Sequence, residues 1–141
     1  MTRATTFLST MLHSLIVAAA LTACAHTDSM TLDDTRWRLA GWSISSHRAA
    51  DTGITAAFAN GSITGHSGVN TYGGAYTATS NGAFSAGSVQ MTEMAGPETA
   101  MRAERIYMRL LGQTASYRTR GATLTLYGKG GNELLIFDAE R

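Results

Sequence analysis

The chain has 141 residues, enough for one domain, and 44% of them are hydrophobic, so a buried core is possible. Only 15% of the residues are charged and the formal net charge is +1, which excludes the strongly basic surface that nucleic-acid binding requires. The single cysteine excludes an intramolecular disulfide and a multi-cysteine zinc site.

Residues 1–23 are typical of a secretory signal peptide. Arg3 supplies the positive start, and residues 7–21 are largely apolar but short for a membrane-spanning helix. Residues 21–24, with the sequence LTAC, have the form of a lipobox, in which the cysteine thiol takes up diacylglycerol. We therefore predict cleavage before Cys24 and lipidation of that cysteine. The alternative is an ordinary signal peptide or N-terminal anchor in which Cys24 is incidental.

Lipidation of Cys24 predicts that the protein binds a membrane through its lipid anchor. Removing residues 1–23 leaves 10 basic and 10 acidic residues, so attachment would depend on several acyl chains rather than on charge. In a Gram-negative bacterium, Ala25 after the cysteine favours the periplasmic face of the outer membrane. Residues 24–33 are interpreted as the lipidated cysteine and a tether, and residues 34–141 as the folded domain.

The first half of the folded part predicts antiparallel strands. Residues 35–42 alternate, with Trp37 and Leu39 on one face, as in a half-buried strand. Two hairpins follow, each with an Asn-Gly pair that favours a type I′ turn. Their strands are residues 54–59 with 62–68, and residues 74–80 with 83–91.

One helix is predicted over residues 97–112, because Pro97 suits a first helical position and Gly112 a terminator. An apolar stripe includes Tyr107. Arg102, Arg105 and Arg109 share a second face, which is interpreted as solvated; the alternative is contact with an acidic partner or lipid head groups. Nearby methionines are interpreted as core filler; they are Met91, Met94, Met101 and Met108.

Three strands are predicted after the helix, over residues 115–120, 123–128 and 133–139. The last is apolar on both faces and is therefore expected to be central or covered. The predicted fold class is α+β and mostly β. It is a strongly curved antiparallel sheet of seven to eight short strands, with one helix before the last three strands, covering the open end or concave face of the sheet.

No residue pattern predicts catalysis, a metal site or a cofactor. The histidines of the cleaved chain, His26, His47 and His66, lack the spacing of a zinc motif. The Gly-rich stretch 128–131 lacks the spacing of a phosphate-binding loop and is interpreted as a hairpin turn. A non-enzymatic protein is therefore expected.

Several segments, in order, resemble the META/HslJ (DUF306) domain. They are Trp37-Arg38-Leu39, the segment GVNTYGGAY at 68–76, the segment TEMAGP at 92–97, and the strand from Gly121 to Leu126. The likeness covers about residues 35–138. Val69 and Gly96 replace the two cysteines of the family pattern. This paired loss is what a structural disulfide in the relatives implies, and other packing must then compensate for it here.

Within segment 68–76 the candidate site residues are Gly68, Asn70, Tyr72, Gly74 and Tyr76. The structural interpretation is that the glycines permit unusual backbone shapes, Asn70 caps a turn, and the tyrosines pack across a turn at the end of the sheet. The alternative is that Asn70 and Tyr72 line a small binding groove.

We expect a non-enzymatic, lipid-anchored bacterial envelope protein that is monomeric and acts through an envelope protein partner. The resemblance implies a role in envelope or stress tolerance. One alternative is a pilotin-like or chaperone-like module for a secretion component, which needs an apolar groove between helix and sheet. The weakest alternative is a hydrolase or a protease inhibitor. An inhibitor would need an exposed loop such as 43–53 or 128–132.

Overall fold

A computed structural model of the chain describes residues 31–44 and 48–141. The signal peptide, Cys24, His26 and His47 lie outside the described residues. The strands are β1 Thr35–Trp42, β2 Thr55–Ala59, β3 Ser62–His66, β4 Thr71–Ala78, β5 Phe84–Met91, β6 Thr114–Arg120, β7 Thr123–Gly128 and β8 Glu133–Ala139. The helix α1 spans Glu98–Leu111, and a short 3-10 helix spans Ala49–Thr52.

All eight described strands form one antiparallel sheet in the order β5-β4-β3-β2-β1-β8-β7-β6. Two meanders, β1 to β5 and β6 to β8, are joined side by side through the pairing of β1 with β8. The central place of β8 explains why its sequence is apolar on both faces. The predicted fold class, a curled mostly β sheet with one helix before the last three strands, is confirmed.

The sheet curls until its two edge strands approach each other at one end. Ala83 forms a bridge with Ser116, and the Tyr117 N–H donates to the Gly82 carbonyl at 2.8 Å. Beyond this bridge a β-bulge places two residues of β5 opposite Ala75. A bulge bends its strand. Apart from this bridge no strand pairing joins β5 to β6 in the described chain, so the sheet is a half-barrel with one open side.

Helix α1 covers this half-barrel from within the curl. Tyr107 is fully buried, and its ring lies 5.6 Å from the Tyr72 ring and 6.4 Å from the Phe137 ring, measured between centroids. The predicted helix is confirmed, but Pro97 precedes it instead of opening it, because its ψ of 140° is extended. In the described part of the chain, no helix is long and apolar enough to cross a membrane.

Two local predictions differ from the structure. Strand β4 begins at Thr71 and not at residue 74, so Tyr72 and Tyr76 lie on one strand and not across a turn. Asn60 and Gly61 both have positive φ, as a type I′ turn requires. In the second hairpin only Gly82 does, and the Gly82 N–H donates to the Thr79 carbonyl at 2.9 Å. Backbone pairing with β3, which the local pattern does not reveal, extends β4 toward its start.

A glycine lets the Tyr72 side chain reach across one strand to the next. Gly65 of β3 is the direct partner of Tyr72, whose hydroxyl donates to the Thr55 carbonyl of β2 at 2.9 Å. A Cβ at position 65 would lie 2.1 Å from that same oxygen and 2.9 Å from the Tyr72 ring. Side chains larger than hydrogen are therefore excluded here.

We expect Gly65→Ala to lower the free energy of unfolding by about 1–3 kcal/mol, as overpacking does. Gly73→Ala is the matched control, since its Cβ would meet nothing nearer than the Thr64 Cγ2 at 3.5 Å. Urea unfolding of both variants measures the difference. Equal stability of the two variants would show that the surrounding strands accommodate a Cβ at position 65 without a loss in the free energy of unfolding.

Candidate functional site

The most buried polar cluster of the described chain joins the loop after β3 to helix α1. Glu104 of α1 is only 3% exposed. Its Oε2 accepts hydrogen bonds from the Ser67 hydroxyl at 2.5 Å and from the Asn70 backbone N–H at 2.9 Å. Its Oε1 accepts from the Asn70 side-chain amide at 2.9 Å. The carboxylate thus fixes this loop against the helix with both of its oxygens.

Asn70 carries the connection onward to the segment that precedes α1. Its Oδ1 accepts from the Thr92 hydroxyl at 2.8 Å and from the Met94 N–H at 2.7 Å. Its Nδ2 also lies 3.2 Å from the Met94 carbonyl. The side chain therefore clamps distant segments, whereas the sequence interpretation had it capping a local turn.

These bonds decide the charge state of the cluster. Burial by itself raises the pKa of the Glu104 carboxyl, but the hydrogen bonds from the Ser67 and Asn70 side chains and from the Asn70 backbone outweigh it, so the pKa lies below the usual value. Glu104 is therefore a buried anion held by neutral donors. Both of its oxygens accept hydrogen bonds from the loop after β3.

The two candidate tyrosines are held by hydrogen bonds at their hydroxyls. The Tyr72 and Tyr107 oxygens are 2.6 Å apart, and because Tyr72 donates to Thr55, Tyr107 donates to Tyr72. Burial raises the pKa of Tyr72 and of Tyr107 well above the usual tyrosine value. The Tyr76 hydroxyl donates to the Asp33 carboxylate at 2.5 Å, and burial followed by this bond raises the pKa of Tyr76.

The candidate glycines lie where the backbone passes close to other elements. Gly68 has φ +116°, and a Cβ there would lie 3.2 Å from the Ala100 carbonyl at the start of α1. A Cβ on Gly74 would lie 2.7 Å from the Ser88 carbonyl beside the β5 bulge. Both therefore lie at close contacts between neighbouring segments.

The two positions where the resemblance implied cysteines in relatives are neighbours. A Cβ built on Gly96 would lie 3.4 Å from the Val69 Cβ and 2.8 Å from each of its methyl groups. Such Cβ positions are near the separation of a disulfide, which is about 3.5–4.5 Å. Here the Val69 side chain occupies the space beside Gly96. The contact of the Val69 side chain with Gly96 therefore takes the place of a crosslink in this protein.

An apolar groove of about 290 Å³ runs between edge strand β5 and helix α1. Ala86, Val89 and Met91 line it from β5, and Met108 and Leu111 line it from α1. Met91 is 41% exposed and Met94, just beyond it, is 60% exposed. The interpretation of these two methionines as core filler was therefore wrong. The sequence pattern does not show whether a methionine lies in the core or on the surface, because apolar side chains occur in both places.

The remaining polar candidates do not converge on the groove. His66 is exposed, and its Nδ1 accepts the Gly68 N–H at 3.3 Å. No group of three or more potential metal-ligating side chains occurs among the described residues. On α1, Arg102 pairs with Glu98 at 3.1 Å, while Arg105 and Arg109 belong to none of the ion pairs in the described ranges. The sequence interpretation missed Glu104, whose only signal was a carboxylate beside the apolar stripe of the helix.

Comparison with known proteins identifies the family. The sequence model of the META domain matches residues 30–141. An NMR structure of a protein from Burkholderia xenovorans is similar, with TM-score 0.66 and 24% identity, over 79% of this chain and 86% of that chain. A second NMR structure has TM-score 0.58 and 18% identity, over 76% and 90% of the two chains.

A third similar structure is the crystal structure of a DUF4847 family protein from Bacteroides vulgatus. It has TM-score 0.56 and 14% identity, over 76% of this chain and 93% of that chain. At these identities the likeness shows the fold alone. No protein of curated function matches the sequence. The family match spans the sheet, the helix and the Glu104 cluster, and the chain therefore belongs to the META domain family.

Proposed function

We propose that this protein is a non-enzymatic, lipid-anchored component of a bacterial envelope that acts by binding a partner protein. The groove between β5 and α1 carries the proposal, because Met91 of β5 is 41% exposed there and Met108 of α1 is partly exposed. Exposed apolar surface edged by polar residues often marks a site where a protein binds a partner. The lipobox-like sequence at residues 21–24 supports the anchor.

The Glu104 cluster supports a binding role over a catalytic one. Glu104 is the only buried charged residue of the described chain, and Ser67 and Asn70 occupy its oxygens. A general base must instead reach its substrate. A role in envelope or stress tolerance follows from the family resemblance, and the groove favours, as the second candidate, a pilotin-like or chaperone-like module for a secretion component.

The anchor is tested by intact mass and detergent partitioning of wild type and Cys24→Ser in a Gram-negative host. We expect wild type in the detergent phase, with a mass that starts at residue 24 and includes acyl groups. Cys24→Ser should lose the acyl groups and move to the aqueous phase, while Ala25→Ser, the control, should behave as wild type. An unacylated wild-type protein in the aqueous phase would contradict the anchor.

Partner binding is tested by site-specific photo-crosslinking of the anchored protein in cells. A crosslinking amino acid replaces Met91 in the groove or, as a control, the exposed Arg118 on the opposite edge strand. We expect a discrete crosslinked species from position 91 and none from position 118. The proposal of partner binding would be overturned if no protein were crosslinked from position 91, from position 118 or from any other exposed residue in a scan.

A further inference from the structure

We propose that the groove binds an extended peptide segment of the partner, with apolar residues alternating with acidic ones, which pairs as an added strand with the free edge of β5. This inference rests on the proposed partner-binding function and states which chemistry the groove recognises. Three observations carry it: the free edge of β5, the apolar side chains beside it, and two exposed arginines of α1 that flank Met108.

The outer edge of β5 has unpaired backbone. Its one bridge toward β6 in the described chain joins Ala83, just before the strand, to Ser116. On its other side β5 is paired with β4 as far as Met91. The backbone groups facing the groove are therefore available to a further strand, which is how sheets add extended peptides.

The two edge strands differ in how they are protected. Proteins commonly guard a free edge with charged side chains. Strand β6, the opposite edge, carries Arg118 and Arg120, and both are exposed. Strand β5 carries no charged residue from Phe84 to Met91. The edge beside the groove is thus the one that lacks this barrier to pairing.

The apolar lining lies next to this unguarded edge. Val89 and Met91 are two residues apart on β5, and Met108 and Leu111 face them from α1. Alternate residues of an added strand would point toward this lining, because side chains of a strand alternate between faces. Methionine side chains adapt to different apolar partners. These positions therefore call for apolar residues at every second position of the peptide.

Two arginines of α1 near Met108 specify the intervening residues of the peptide. Arg105 lies one helical turn before Met108, Arg109 follows Met108, and both arginines are exposed. Neither belongs to an ion pair within the described ranges. Acidic side chains on the solvent face of the added strand would complement them. A second copy of this chain would instead bring an uncharged β5 and another arginine-bearing helix, so like charges would oppose that arrangement.

The test measures binding of synthetic blocked peptides of about eight residues, close to the length of a strand, to the acylated protein that begins at Cys24, in neutral detergent. The first peptide alternates valine with glutamate, and the second alternates valine with lysine. A third has the sequence of the first but is N-methylated along the edge that would face β5. We expect the first peptide alone to bind, with slowed hydrogen exchange at amides 87–91.

Charge reversal supplies the matched variants. Arg105→Glu/Arg109→Glu should weaken binding of the valine–glutamate peptide about tenfold at low salt. Arg118→Glu/Arg120→Glu, with the same change of net charge on the opposite edge, should leave binding unchanged. Fluorescence anisotropy measures both, and circular dichroism shows whether each variant is folded.

Three results would overturn the inference. One is equal binding of the N-methylated peptide, which would show that no strand is added. Another is no binding of any peptide together with concentration-dependent dimerisation, which would make a second copy the occupant. The third is a partner that crosslinks in cells only from positions outside the groove, which would leave the partner-binding function standing while this site fails.

Discussion

Replacing Glu104 with alanine is expected to lower the free energy of unfolding by about 3–5 kcal/mol. The carboxylate accepts three hydrogen bonds, from the Ser67 hydroxyl and from the Asn70 backbone and side chain. Each buried donor left without an acceptor costs about 1–3 kcal/mol, and part of this cost is recovered where water enters. Chemical denaturation at neutral pH measures the loss.

Glu98→Ala is the matched control on the same helix. Its side chain is 82% exposed and pairs only with Arg102 across one turn. Exposed pairs of this kind contribute about 0–1 kcal/mol. A loss in Glu104→Ala no larger than that in Glu98→Ala would show that the buried cluster does not hold the loop to the helix.

The charge of Glu104 should also appear in the pH dependence of stability. Because the pKa of the folded carboxyl lies below that of the unfolded chain, this group stabilises the fold above the ordinary glutamate pKa of about 4.3. That contribution is lost as the pH falls through the lower pKa of the folded state. The stability difference between wild type and Glu104→Gln should therefore be largest near neutral pH and shrink in acid. A difference that stays constant or grows in acid would contradict a buried carboxylate anion.

The sequence predicted what depends on local periodicity. Alternation around Trp37 and Leu39 predicted β1, and the stripe through Tyr107 predicted the buried face of α1. The apolar residues on both faces of β8 predicted a central or covered strand, and β8 lies inside the sheet between β1 and β7. These features follow from residues close together in the chain.

The site could not be predicted in the same way, because its contacts join residues that are far apart in sequence. Ser67 and Glu104 are 37 positions apart, and Thr92 and Asn70 are 22 apart. The position of Glu104 beside the apolar stripe of α1 is a local signal of burial, but it does not reveal which distant groups bind the carboxylate. The exposure of Met91 likewise depends on its place at the end of an edge strand, which the local pattern does not show.

A disulfide introduced at positions 69 and 96 is expected to raise the free energy of unfolding by about 2–4 kcal/mol, as crosslinks across loops of this length do. The Cβ of Gly96 would lie 3.4 Å from the Val69 Cβ, at the short end of disulfide geometry. Val69→Cys/Gly96→Cys also removes the two valine methyl groups that a Cβ at position 96 would otherwise meet at 2.8 Å. A Cys24→Ser background leaves only these two thiols.

Oxidised and reduced samples of this variant provide the direct comparison. We expect the oxidised form to be free of thiols and monomeric, and dithiothreitol to abolish its added stability. The single variant Gly96→Ala should instead lose about 1–3 kcal/mol through its clash with Val69. Val69→Ala/Gly96→Ala should recover part of that loss, because the methyl groups are gone. Thiols that stay free under oxidising conditions would show that the Val69–Gly96 contact does not occupy the place of a crosslink. If the disulfide forms, the Val69–Gly96 contact is the packing that replaces it. This contact joins the loop after β3 to the segment before α1, next to the hydrogen bonds between Asn70 and Met94.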